Sequence, residues 1–272
     1  MQEEDKNLTT SKRSAILSAV LSLITPGLGH LYNGKFRLAI IIPAMFLILS
    51  AVIISTGLIK IFTFMVILVL LSITVYLYSI IHSIILARRN SSYQIKNYNK
   101  FLIYILWPIL FFGIGLIISE SCAVRAFKVP SNSMKNTLIR GDIFLADMNY
   151  YKHNKVNTND VVIFNDPRYP DQLTIKRAIA FGGETISITN SQIFINGKLF
   201  EENNPDIIYE TGNYIDLNEM TIPDNHIFFI GDNRPNSLDS RMFGPVSENN
   251  VRGRPIYIYF SDSFDRIGKT LN

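Results

Sequence analysis

Val129-Pro130-Ser131-Asn132-Ser133-Met134 and Thr174-Ile175-Lys176-Arg177 lie in the less hydrophobic half of this chain. From Ala123 onward, short β-branched and aromatic runs alternate with turn residues, which is the pattern of strands. The expected strands are Val124–Val129, Ile143–Asp147, Val161–Phe164, Leu173–Ala180, Thr185–Ile188, Ile193–Ile195, Lys198–Phe200, Ile227–Ile230 and Ile256–Phe260. Asn196-Gly197 predicts a tight hairpin, because a type I′ turn needs positive φ at both central residues. Glu201 to Pro223 is polar and patternless and reads as a surface excursion. No Gly-rich phosphate loop opens a helix, and no repeat is present. This half reads as all-β.

The half before it is different in kind. Mean hydropathy over the whole chain is positive, +0.20. Three stretches have the roughly 20 apolar residues a bilayer-spanning helix needs: Leu38 to about Leu58, Ile61 to about Leu86, and Phe101 to Ile118. A shorter segment, Ile16 to Leu31, contains Pro26, Gly27 and Gly29. It reads as a re-entrant or interfacial hairpin, and a fourth spanning helix bent at Pro26 fits the same residues. The expected organisation is a membrane region over 1–119 and a β-rich domain over 120–272.

Charge follows that division. Residues 1–119 carry 10 Lys+Arg and 3 Asp+Glu, a net +7. Residues 120–272 carry 16 and 19, a net −3. The basic balance therefore belongs to the membrane half and speaks for topology, not for nucleic-acid binding. Arg88, Arg89, Lys96 and Lys100 fill the loop between the second and third spans, so the positive-inside rule makes it cytoplasmic. Everything after Glu120 then lies outside. Lys35, Arg37, Lys12 and Arg13 agree with this orientation, and Lys60 is the exception. A cleavable leader is not expected, because repeated spans follow the start. Cys122 is the only cysteine, which excludes an internal disulfide. No His/Cys/carboxylate cluster has ligand spacing, so no metal or cofactor is expected.

Chemistry is expected from serine and lysine. A serine hydroxyl needs a partner to take its proton. The two histidines of the β half, His153 and His226, lie in a polar loop and a turn, outside any triad motif. A lysine serves if burial keeps it neutral. Ile175 and Ala178–Phe181 give Lys176 apolar neighbours, although an exposed strand lysine is the plainer reading of spacing alone. Ser131 and Ser133 face the same way if their segment is extended, so one hydroxyl would attack while the other stabilises an oxyanion. An ordinary loop after Pro130 fits the same residues.

Resemblance decides between these readings. Pro130-Ser131-Asn132-Ser133-Met134-Lys135-Asn136-Thr137-Leu138, with Gly141-Asp142, closely resembles the first signature of type I signal peptidases. Asp160–Phe164 looks like the short strand signature that follows. Ile175-Lys176-Arg177-Ala178-Ile179-Ala180, with Gly183-Glu184, looks like the lysine signature. Gly231-Asp232-Asn233-Arg234-Pro235-Asn236-Ser237-Leu238-Asp239-Ser240-Arg241, with Gly244-Pro245-Val246, is similar to the last. The four occur in the family's order over residues 130–246. Lys135-Asn136 stands where a proline commonly precedes the threonine, Pro235 where an aspartate is usual, and Phe181-Gly182-Gly183 where leucine-proline-glycine is common.

The resemblance implies a mainly β catalytic domain, of the fold shared with self-cleaving repressors, following an α-helical membrane region. It implies a serine endopeptidase that removes N-terminal signal peptides after small residues, without a cofactor. Ser133 would be the nucleophile and Lys176 the general base. The Ser133 N–H and the Ser131 hydroxyl would form the oxyanion hole, and Ser237 would hydrogen-bond Lys176. Asp239 and Arg241 would be a supporting ion pair. Phe127, Val129, Pro130 and Ile175 would line shallow pockets for the substrate, which would lie as an added strand. Implied partners are precursors bearing signal peptides, the lipid bilayer and the secretion machinery, with no nucleic acid. The implied location is multi-pass in a bacterial cytoplasmic membrane, with the catalytic domain outside. The rivals are a catalytically silent paralogue that binds exported peptides and a Ser/Lys protease with a specialised client. A soluble self-cleaving repressor is disfavoured by the spans.

Overall fold

The computed structural model describes residues 10–90, 92–96, 98–202, 207–208 and 216–271. The chain divides into two compact units, Met1–Cys122 and Ala123–Asn272.

In the first unit a short strand β1 (Thr10–Ser11) pairs with β2 (Tyr93–Gln94). Between them run α1 (Ala15–Ile24), α2 (Leu28–Tyr32), α3 (Phe36–Thr56) and α4 (Phe62–Arg89), and α5 (Phe101–Glu120) follows β2. Helices α3, α4 and α5 are long and apolar enough to cross a membrane. The ten residues of α1 rise only about 15 Å, half of a hydrocarbon core. Thr25-Pro26-Gly27 ends it, Gly27 takes a left-handed φ of 92°, and α2 starts at once. The segment around Pro26 is thus two short helices, α1 and α2.

Polar groups hold this hairpin to α4. Ser18 Oγ donates to the Ser83 carbonyl at 3.0 Å, and Ser22 Oγ donates to Ser83 Oγ at 3.0 Å. The Gly27 N–H donates to Ser79 Oγ at 3.1 Å. Asn33 Nδ2 donates to Ser18 Oγ, the Gly29 carbonyl and the Ser83 carbonyl. His30 Nε2 and His82 Nδ1 share a hydrogen bond of 3.0 Å, so His82 of α4 finds a partner on α2. Small residues allow such approach between helices in lipid, and internal partners replace absent water. A Cβ on Gly29 would stand 2.2 Å from Ser22 Oγ and 2.5 Å from the Ser18 carbonyl oxygen.

The second unit is built on two antiparallel sheets. Its strands are β3 (Val124–Lys128), β4 (Ile143–Asp147), β5 (Val161–Asp166), β6 (Tyr169–Phe181), β7 (Thr185–Thr189), β8 (Gln192–Ile195), β9 (Lys198–Leu199), β10 (Leu217–Thr221), β11 (His226–Ile230), β12 (Val246–Ser247) and β13 (Val251–Phe260), with one short helix α6 (Ser240–Phe243). The larger sheet has the order β12-β11-β6-β5-β13-β4-β3, and the smaller β10-β7-β8-β9. The β8–β9 turn has φ of 52° at Asn196 and 72° at Gly197, as the Asn-Gly pair predicts.

Two departures from the sequence reading have physical causes. Part of the expected excursion over 201–223 is strand β10, whose pairing with β7 shifts register between Leu217 and Met220. That irregularity erases the period-2 alternation by which strands are recognised. Strand β13 begins at Val251, before Pro255, because a second register shift next to Pro255 accommodates the missing N–H. The remainder of 201–223 lies largely outside the described residues.

Three apolar clusters fill this unit among its described residues. The one that matters for chemistry packs Val129, Met134, Leu138, Phe144, Val161, Ile163 and Ile258 together. Met134 and Leu138 are fully buried, so they pin the loop that carries Ser133 from beneath. Gly29→Leu should pry α1 and α2 from α4, an overpacking cost of about 1–3 kcal/mol. The expected result is a lower melting temperature of the chain in detergent micelles. Gly113→Leu should leave it unchanged, because nothing lies within 4 Å of a Cβ built on Gly113.

Candidate active site

The loop from Val129 to Asp142 is tied at both ends. Val129 N–H donates to the Asp142 carbonyl at 2.8 Å, and Gly141 N–H donates back to the Val129 carbonyl at 3.0 Å. Asp142 is buried beneath Arg266, which donates to it at 2.7 Å and to the carbonyls of Asn136 and Thr137 at 3.1 Å each. Burial pushes the Asp142 carboxyl up. Hydrogen bonds from Arg266 and the Ile139 N–H outweigh it and hold the group below the usual carboxylate range. Asn136 has a φ of 75°. Proline is fixed near −65°, so the loop here takes a path that the family's usual proline does not allow.

Strand β6 brings Lys176 to this loop. Lys176 Nζ donates to Ser133 Oγ at 2.6 Å. The lysine is 4% exposed. Burial pulls its pKa down to about 8, against the opposing pull of Asp239, Asp166 and Asp232. Each of these carboxylates is already held by an arginine. Asp166 pairs with Arg168 at 2.5 Å, Asp232 with Arg177 at 2.6 Å and Asp239 with Arg241 at 2.8 Å. Ser131 Oγ donates to Ser133 Oγ across 3.4 Å, so the two hydroxyls do converge.

The expected bond from Ser237 to Lys176 is not made. Ser237 is in extended backbone after the turn Arg234–Asn236, and its Oγ is buried without a hydrogen-bond partner among the described residues. The hydroxyl packs against Gly231, where an added Cβ would meet it at 2.1 Å and the Ser133 carbonyl oxygen at 2.6 Å. The close approach of two chain segments, not an unusual φ, is what requires glycine here. Asp239 and Arg241 form a two-pronged pair, with both N···O distances 2.8 Å. Asp239 also accepts from the Gly231 N–H at 3.0 Å, and Arg241 donates to the Arg234 carbonyl at 2.8 Å. The pair therefore ties α6 to the loop that leaves β11.

Phe127, Val129, Pro130 and Ile175 all line one cavity of about 150 Å³ beside Ser133 and Lys176, with Phe144 and Ile163. A broader, more polar groove of about 660 Å³ adjoins it at the same pair, bounded by Arg140, Arg168, Pro235, Asn236, Ser237 and Met242. Pro130, Ser131, Ser133, Thr174 and Lys176 belong to both depressions.

Four residues that hold the site together, Arg177, Asp232, Thr137 and Asn233, were not assigned roles from sequence. Arg177 and Asp232 are 2% and 0% exposed and are joined by two hydrogen bonds, of 2.8 and 2.6 Å. Thr137 Oγ1 donates to the same Asp232 carboxylate at 2.5 Å. Asn233 N–H donates to the Ser133 carbonyl at 3.1 Å, and its Nδ2 to the Asn132 carbonyl at 2.9 Å. The available signal was a charged residue set beside an apolar run in each case, Arg177 before Ala178–Phe181 on β6 and Asp232 after β11, but their pairing is a fact of three dimensions.

The sequence profile described as signal peptidase, peptidase S26, matches residues 99–260. The chain belongs to that family. A thylakoidal processing peptidase 1 of Arabidopsis thaliana is 31% identical over 157 residues, covering 54% of this chain and 45% of that protein. A probable signal peptidase I-1 of Synechocystis sp. is 30% identical over 142 residues, covering 50% and 70%. A signal peptidase I V of Bacillus subtilis is 32% identical over 140 residues, covering 47% and 80%. The chain thus spans less than half the length of the Arabidopsis relative and most of the two bacterial ones. Three apolar helices of spanning length together with this family indicate membrane association.

Removing the carboxylate of Asp232 would leave Arg177 buried without its ion partner. Losing one member of a buried pair costs about 3–5 kcal/mol. Asp232→Ala should therefore lower the urea midpoint of the β unit's unfolding sharply, while Asp171→Ala, at an exposed position of β6, should leave it near wild type.

Proposed function

We propose that this chain is a membrane-anchored serine endopeptidase that removes signal peptides from exported precursors, with Ser133 as nucleophile and Lys176 as general base. The observation that carries this reading is the 2.6 Å contact between Ser133 Oγ and a lysine that burial holds near a pKa of 8. A neutral amine at that distance takes the serine proton as Oγ attacks the scissile carbonyl. The negative charge moves to the carbonyl oxygen, and the Ser133 N–H and Ser131 hydroxyl are the donors for it. When the tetrahedral intermediate collapses, the C–N bond breaks and Lys176 returns its proton to the leaving amine. Water then attacks the serine ester with Lys176 again as base, which releases the signal peptide's new carboxylate and restores Ser133.

The 150 Å³ apolar cavity supports cleavage after small residues. Phe127, Val129, Pro130 and Ile175 are its substrate-contacting walls in this reading. Asp239 and Arg241 act as positioning residues through the loop that carries Ser237. Ser237 is a wall of the polar groove whose hydroxyl becomes an orienting partner only by rotating away from Gly231.

The location is proposed on charge and hydropathy. The basic loop between α4 and α5 lies on the cytoplasmic side of a bacterial inner membrane, so the residues after α5 lie outside. Precursor and enzyme would then share one membrane plane, which raises their effective concentration. The secretion machinery is the natural neighbour that delivers such precursors.

Purified chain in detergent should cleave a precursor with an Ala-x-Ala site, read by mass spectrometry. Ser133→Ala and Lys176→Ala should each lose turnover by orders of magnitude, and a Lys176→Ala chain at full rate would overturn the mechanism. Since the free base does the work, kcat/KM should rise about tenfold per pH unit below pH 8 and level above it.

A further inference from the structure

The two depressions at Ser133 differ in chemistry as well as size. The smaller is apolar, and the reading above gives it the residues before the scissile bond. A peptide bond placed at Ser133 must then send its amine side into the larger groove, since both depressions share Ser131, Ser133 and Lys176. That groove would hold the first residues of the released protein.

The charge on its walls is one-sided. Arg140 and Arg168 both line it, and no carboxylate does among its described lining residues. The carboxylates nearest the site are buried and turned to other arginines, Asp232 to Arg177 and Asp239 to Arg241. The two arginines are not equivalent. Arg168 is neutralised by a two-pronged bond to Asp166, with its guanidinium also over the rings of Tyr169 and Phe243. Arg140 is exposed and makes no ion pair among the described residues. It is held in place through its backbone, whose N–H donates to the Asn132 side-chain carbonyl at 2.9 Å, one residue from the nucleophile.

We infer that the polar groove is a specificity site for the mature end of the substrate, and that Arg140 selects precursors with an acidic side chain among the first three residues after the scissile bond. Three extended residues reach about 10 Å. An acidic side chain there meets an unpaired guanidinium, and a basic one meets repulsion from Arg140 and Arg168 at once. This inference rests on the proposed peptidase reading for its direction, because that reading decides which depression takes the amine side.

The test uses the full chain in detergent and precursor peptides identical except for Asp or Lys at each of the three positions after the bond. The readout is the ratio of kcat/KM for the Asp and Lys peptides. An exposed ion pair changes such a ratio by about threefold to fivefold at low salt. The wild-type ratio should therefore favour Asp at one position at least, fall toward unity in Arg140→Ala, and invert in Arg140→Glu. Lys198→Glu makes the same charge change on the exposed β9 and should leave the ratio at its wild-type value. A ratio that is equal in wild type and Arg140→Glu overturns the inference, and so does a ratio that Lys198→Glu shifts equally. If wild type cleaves neither peptide, the peptidase reading fails separately. Charge selection is then read from fluorescence anisotropy of the same peptides bound to the Ser133→Ala chain, where equal affinity for Asp and Lys overturns it.

Discussion

The buried pair between Arg177 and Asp232 is the constraint on which the site depends. Arg177 follows Lys176 on β6, and Asp232 leaves β11 toward Ser237 and Asp239. Thr137, on the serine loop, donates to the same carboxylate. One carboxylate thus fixes β6, the loop that carries Ser133 and the segment after β11 relative to one another. Two charges at 2% and 0% exposure are a poor way to gain net stability, because desolvation consumes most of their attraction. What the arrangement gives is geometry, since its two-pronged contact admits little freedom.

A second level of constraint sets the state of Lys176. The lysine is enclosed, and its loss of hydration outweighs the pull of three carboxylates nearby. Those carboxylates are each engaged by an arginine, so none is free to hold the ammonium form as an ion pair. The same three bonds that stabilise Asp166, Asp232 and Asp239 therefore leave the amine closer to neutrality. Burial of a lysine and full pairing of its acidic neighbours are two halves of one device.

The membrane unit obeys a different solvent. The seam between α1–α2 and α4 is serine, asparagine, glycine and paired histidine, beside a small apolar cluster of Leu28, Leu31 and Ala39. Apolar burial drives little between helices in lipid, so close approach at Gly29 and hydrogen bonds to Ser79 and Ser83 take its place. The hairpin of α1 and α2 is an outcome of the same rule, because the chain break at Thr25-Pro26-Gly27 lies against α4, where the Gly27 N–H finds Ser79.

Sequence by itself determined the division into apolar helices and β structure, since composition and period are local and do not need partners. The long apolar helices α3, α4 and α5, the Asn196-Gly197 turn and most strands follow from that. It also carried Ser133 and Lys176, through motif order. Strand β10 and the start of β13 were not legible, because a bulge is invisible until the partner strand shows the slipped register. Only the tertiary structure decided that Asp232 would hold Arg177 and Thr137, that Ser237 would turn to Gly231, and that Arg140 would stand on the polar groove without an ion pair among the described residues. Asp232 meets Arg177 and Thr137 across 55 and 95 residues. No local propensity encodes such contacts, because their energy comes from burial and geometry that exist only once the sheets have closed.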